Sequence, residues 1–123
     1  MKTNEFIKFC KSLSNDDLAD IDPAIEHAIL GIGTEAGELL DVVKRRKVYH
    51  QLLDMVNIKE EAGDLLHYIA RLLDACGWTF EEVLEDNVMK LQKRYPDGYS
   101  HKAGLARADK QKINREGPFP GGA

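Results

Sequence analysis

A ten-residue pattern occurs twice in this chain. Residues 34–43 read TEAGELLDVV and residues 60–69 read EEAGDLLHYI. Aligned without gaps, both carry Glu-Ala-Gly, an acid, then Leu-Leu. The acids fall at Glu35 and Glu38 in the first copy and at Glu61 and Asp64 in the second. At ~100° per residue, positions three apart lie on neighbouring parts of one α-helical face, so each copy projects two carboxylates from one surface. An apolar stripe through Ile25, Ile32, Ala36 and Val43 puts Glu35 roughly 80° from its centre. The second stripe, through Ile58, Ala62, Leu65, Ile69 and Cys76, leaves Glu61 at a similar edge. Packing these stripes together brings four carboxylates to the rim of the seam, where they repel unless cations sit among them. The expectation is a metal site of hard oxygen donors, suited to Mg²⁺ or Mn²⁺ rather than zinc. One such pair is ordinarily a solvated face; a duplicated pair edging two apolar stripes is not.

The rest of the chain supplies helices around these two. Residues 4–13 are amphipathic, with Thr3 as cap, and a polar connection follows. Asp22-Pro23 opens a helix to about Lys47, with Asp as N-cap and Pro in the first turn. Gly31, Gly33 and Gly37 interrupt it, which predicts close helix contact or a local kink; no strand precedes Gly31-Ile-Gly33, so it is not a nucleotide fingerprint. Residues 48–56 read as a linking helix or turn. Asn57 reads as the cap of the helix carrying the second motif, which ends near Gly77. Thr79 with Glu82 forms a capping-box signature for a helix through Tyr95, stopped by Pro96-Asp97-Gly98. No alternating β pattern occurs. The expected architecture is an all-α helical bundle over residues 1–98, built mainly from the three longer helices, with residues 99–123 as an extended or partly disordered C-terminal arm.

Charge and cysteine content narrow the partners. With 123 residues, 43% hydrophobic and 31% charged, the chain suits one domain with a core. Net charge is −4, unevenly spread: residues 97–123 carry five Lys/Arg against three acids, leaving a tail of +2 and a body of −6. An acidic body argues against nucleic acid as partner. Cys10 and Cys76 lack metal or redox spacing and read as reduced core thiols of a cytoplasmic protein. No long apolar run marks a signal peptide or membrane span.

The ExGE motif, followed after 22 residues by ExGD, resembles the MazG-like all-α nucleoside triphosphate pyrophosphohydrolases. The stretch Asn87-Val-Met-Lys90-Leu-Gln-Lys-Arg94-Tyr95-Pro96 resembles the helix after the metal motifs in that superfamily, whose relatives include dimeric dUTPases, dCTP pyrophosphatases and phosphoribosyl-ATP pyrophosphohydrolase. The likeness spans about residues 25–100. It implies Mg²⁺-dependent cleavage between the α and β phosphates of a nucleoside triphosphate, in a nucleotide-pool or housecleaning role. By motif position Glu35, Glu38, Glu61 and Asp64 would be metal ligands and catalytic residues, while Asn87, Lys90 and Tyr95 would help hold the nucleotide. A homodimer or homotetramer is implied as well. One departure is Thr34, where members often have a second Glu; it bears on how many metals bind and how the water is activated.

Several residues carry two readings. Lys44, with Arg45, Arg46 and Lys47, could reach substrate phosphates beyond Glu38 or only complement the helix C-terminus. Tyr68 could position a ligand carboxylate or sit at the core boundary. Trp78 reads as a core anchor, and His27 and His67 fall on polar faces. Asp64-x-x-His67 faintly resembles the carboxylate-x-x-His unit of di-iron bundles, but the first copy has Asp41 where the second histidine is needed. A helical interaction module without catalysis is the alternative of another class; it needs no divalent metal and survives loss of the acids.

Overall fold

The computed structural model describes residues 1–111, arranged as α1 (Thr3–Ser12), α2 (Pro23–Lys47), α3 (Met55–Cys76), α4 (Phe80–Arg94), α5 (His101–Ala106) and α6 (Ala108–Gln111). Among these residues there is no β-strand, so the fold is all-α as the patterning predicts. The helix starts are set by short polar side chains. Asp22 Oδ1 accepts from the Ala24 and Ile25 N–H groups at 2.9 and 3.2 Å, satisfying donors that α2 itself leaves unpaired. Thr79 Oγ1 accepts from the Glu82 N–H at 3.2 Å at the start of α4. Gly77, at φ 75°, closes α3 in the left-handed region that favours glycine.

Two caps differ from expectation. Helix α3 is capped by Asp54, whose Oδ1 accepts from the Asn57 N–H at 3.0 Å; Asn57 lies inside the helix and its side chain is free for another task. Helix α1 is capped one residue earlier than Thr3, at Lys2, whose N–H donates to Glu5 Oε2 at 2.8 Å.

Helices α2 and α3 form an antiparallel hairpin joined by residues 48–54, and their contact is the centre of the fold. The α2 face in the seam is Ile25, Ala28, Gly31, Ile32, Glu35, Leu39 and Val42; opposite lie Ile58, Glu61, Leu65, Tyr68, Ile69 and Leu73. The seam is therefore rotated from the predicted stripes. Ala36, Val43 and Ala62 are exposed, while Glu35 and Glu61 lie within the contact rather than at its rim. The physical reason sits at Gly31. A Cβ there would overlap the ring of Tyr68, so the missing side chain lets that ring lie against the α2 backbone and draws the Gly31 face inward. Among the described residues, a Cβ at Gly33 or Gly37 would meet nothing within 4 Å, so close contact accounts for one of the three glycines.

The other helices are less enclosed. Helix α4 packs chiefly on α5 and α6 rather than completing a three-helix core with α2 and α3. Leu84, Val88 and Met89 on α4 stay exposed. Trp78, expected as a core anchor, is 47% exposed beside Glu82, Val83 and Asp86. Both cysteines are free thiols, but Cys10 is exposed because α1 buries none of its residues, and Cys76 is half-buried. The start of the expected extended arm is helical: α5 and α6 fold back on α4, where Arg94 grips buried Asp109 through two hydrogen bonds of 2.7 and 2.9 Å. The remainder of that arm, residues 112–123, lies outside the described residues.

Candidate metal and active site

Three of the four motif acids converge where the two copies of the repeat face each other. Glu35 on α2 and Glu61 and Asp64 on α3 each offer an oxygen, and these oxygens lie within 4.8 Å of one another. Glu38, one turn further along α2, is exposed and stands outside this tight group, although its charge is felt at Glu61. Glu61 is the innermost member, 9% exposed, and among the described residues its buried Oε2 has no hydrogen-bond partner. Its pKa is pushed up to about 7. The nearby Glu35 carboxyl, close enough to share a proton, contributes most; burial comes next, then the charges of Glu35, Glu38 and Asp64. Such a carboxyl can relax by holding a proton or by accepting a cation. An all-oxygen donor set with one orphaned buried oxygen fits a hard divalent cation.

The turn end of the hairpin supports this cluster with residues the sequence did not mark. The partners around Asn57 fix its amide orientation: the oxygen accepts from Arg45 Nη2 at 2.8 Å and the nitrogen donates to Glu61 Oε1 at 3.1 Å. Arg45 also lies 3.2 Å from Asp41 and 3.7 Å from Asp54. Partly exposed pairs of this kind contribute about 0.2–1 kcal/mol each, too little to make stability the main role of Arg45. A readable sign existed. Asn57 and Glu61 are four apart on one helix face, and Asp54 is a better-placed cap three residues earlier.

Beyond the acids, the expected residues go to different places. Thr34 turns back on its own helix, its hydroxyl donating to the Gly31 carbonyl at 3.0 Å. Of the basic run closing α2, Arg45 is engaged as above and Arg46 Nη1 donates to the Gln51 carbonyl at 3.3 Å. Lys44 Nζ lies 5.9 Å from the centre of the Tyr49 ring. Asn87 and Lys90 are exposed on α4, one turn apart. Tyr95 faces α5, its hydroxyl 3.2 Å from where a Cβ on Gly104 would sit and its ring centre 5.4 Å from that of Tyr99. The packing of α4 thus does not bring these three to the carboxylates as the seam does Glu35, Glu61 and Asp64. His67 stands edge-on to Tyr68, 5.1 Å between ring centres, and among the described residues the acid cluster contains no histidine. The one histidine that a di-iron reading could use, His67, is thus not part of the cluster.

An all-α hairpin with carboxylates converging from both of its helices defines a class of helical domain suited to holding hard cations. The family is more specific. The MazG nucleotide pyrophosphohydrolase domain matches residues 24–99, well over half of the chain, and the chain belongs to that family. Members are hydrolases that act on nucleotides and generally depend on a divalent metal. No curated protein and no solved structure matches the chain. Among the described residues, no helix is long and apolar enough to cross a membrane.

Proposed function

We propose that this chain is a Mg²⁺-dependent nucleoside triphosphate pyrophosphohydrolase, converting a nucleoside or deoxynucleoside triphosphate and water into the monophosphate and pyrophosphate. The observation that carries the reading is Glu61: a buried carboxylate with an orphaned oxygen, inside a three-acid cluster, in a MazG domain. Glu35, Glu61 and Asp64 would hold the cation, with Glu38 completing the acidic wall when substrate and metal are bound. A bound Mg²⁺, or Mn²⁺ in its place, supplies Lewis acidity to the phosphate oxygens. The chain's own residues do the rest. The seam acids fix where the phosphates sit, one carboxylate orients the attacking water, and the buried setting of Glu61 excludes bulk solvent from one side. Asn87, Lys90 and Tyr95 on α4, and Lys44 at the end of α2, are the candidate nucleotide contacts, and Lys90 would supply positive charge to a phosphate that it reached.

The open packing supports assembly into a homodimer or homotetramer. Leu40 and Val43 on α2, Leu66 on α3 and Leu84 and Val88 on α4 are all at least half exposed in the single chain, which is far more bare apolar surface than an isolated helical domain ordinarily keeps. The proposed role is in the nucleotide pool, and the proposed compartment is the cytoplasm.

The deciding experiment is pyrophosphate release across the common ribo- and deoxyribonucleoside triphosphates, with and without Mg²⁺, repeated in ¹⁸O-labelled water. Attack at the α-phosphorus puts the label in the monophosphate and leaves pyrophosphate unlabelled. Label in pyrophosphate, or stepwise orthophosphate release, would overturn the mechanism.

A further inference from the structure

Asn57 stands between a fixed cation and the innermost acid. Its amide accepts from Arg45 on one side and donates to Glu61 Oε1 on the other, leaving Glu61 Oε2 as the oxygen without a partner. We propose that Asn57, held by Arg45, is a positioning residue for Glu61. It ties one oxygen so that the other is presented to a divalent cation at the Glu35–Glu61–Asp64 cluster. The inference rests on reading those acids as a metal site.

Two physical points favour this role. A free Glu61 side chain, repelled by Glu35, Glu38 and Asp64, would swing away from the cluster; an N–H donor on Oε1 opposes that swing. A neutral amide does so without placing a positive charge against the carboxylate, where it would compete with the cation. The Arg45 charge is held one residue back, steadied by Asp41 and Asp54, so the chain of contacts runs from the hairpin turn through Arg45 and Asn57 to Glu61. Outer-shell partners of metal-binding carboxylates alter metal affinity by roughly 10–100-fold when removed.

The test measures Mn²⁺ binding by the loss of the free-ion EPR signal, beside circular dichroism and metal-free melting, in the full chain. Asn57→Ala is expected to raise the apparent Mn²⁺ Kd roughly 10–100-fold. It should leave the helical signal near wild type, because the cap bond from the Asn57 backbone N–H to Asp54 survives the substitution. Asn57→Gln, which keeps both amide functions, should recover part of the affinity, and Arg45→Met should fall between Asn57→Ala and wild type. In turnover assays the Mg²⁺ concentration for half-maximal rate should rise, while KM for the nucleotide at saturating Mg²⁺ stays unchanged. Wild-type Mn²⁺ affinity in folded Asn57→Ala would overturn the positioning role alone. If that variant does not fold, Arg45→Met decides on the same criterion. A wild-type chain that binds no Mn²⁺ overturns the metal reading, and the positioning role with it.

Discussion

Glu61 in the α2–α3 seam and Asp109 under α4 are both buried carboxylates, 9% and 3% exposed, in opposite company. Asp109 faces the Arg94 guanidinium, and two short hydrogen bonds hold its pKa below the ordinary value despite burial. Glu61 faces other carboxyls, and its pKa is pushed up to about 7. The chain completes the first arrangement from its own residues. It leaves the second short of positive charge at one buried oxygen. A buried acid that the fold satisfies is structure; one that the fold leaves wanting is a candidate binding position.

The sharpest break of that comparison is chemical. Glu61→Gln or Asp64→Asn is expected to lower Mg²⁺-dependent hydrolysis by at least ~100-fold with the helical signal retained, whereas Asp109→Asn should act on stability first. Parallel turnover and circular dichroism measurements read both. Next in size is the response to metal. Wild type should gain about 2.7 kcal/mol at a Mg²⁺ concentration 100-fold above its Kd, and Glu61→Gln should gain little. Melting curves in EDTA and in Mg²⁺ test this.

Both regions set a tyrosine ring or hydroxyl against a glycine, but not equally tightly. Gly31→Ala would drive a methyl into the Tyr68 ring and should cost about 1–3 kcal/mol by denaturant unfolding. A smaller effect, opposite in sign between the two regions, comes from pH. The folded chain keeps the Glu61 proton up to about 7, while the unfolded chain loses it near 4.5. The metal-free protein therefore holds this contribution fully below pH 4.5 and loses it as pH rises toward 7. Asp109, with its folded pKa lowered, contributes above its unfolded value of 3.8 and loses that contribution as pH falls through its folded pKa. Melting temperature against pH in EDTA should show both limbs. Glu61→Gln should flatten the upper one and Asp109→Asn the acid one. Smallest is Gly104→Ala, where the Tyr95 hydroxyl need shift only a few tenths of an ångström and the gain in helix propensity offsets the crowding. Its unfolding free energy should change by less than ~1 kcal/mol.

Much of this was legible in the sequence. The repeat, the Asp22 and Thr79 caps and the left-handed stop at Gly77 are local signals, and local signals survive folding. The rotation of the seam was not legible, because it depends on the Tyr68 ring finding the gap at Gly31, 37 positions earlier. Periodicity placed Ala36 and Ala62 inward by hydrophobicity alone, yet Glu35 and Glu61 took those places. Tertiary contact overrode pattern at the acids that matter most. Asn57 was hidden for a related reason: its type suits a cap, and only the position of Arg45 across the turn reveals the side chain's other use.

The short connection over residues 48–54 also bears on time. Among the described residues, the seam's hydrogen-bonded pair farthest apart in sequence, Arg71 with His27, is separated by 44 residues, and Arg94 reaches Asp109 over 15. Most pairs in contact lie much closer along the chain than that, and such chains close their contacts early, because little loop entropy must be lost before packing begins. During synthesis from the N-terminus, α2 and α3 come free before α4, so the hairpin can zip before α4 is able to pack. The acids would then be gathered before the later helices have packed, and a divalent ion binding at that stage would act as a clasp on the nascent hairpin.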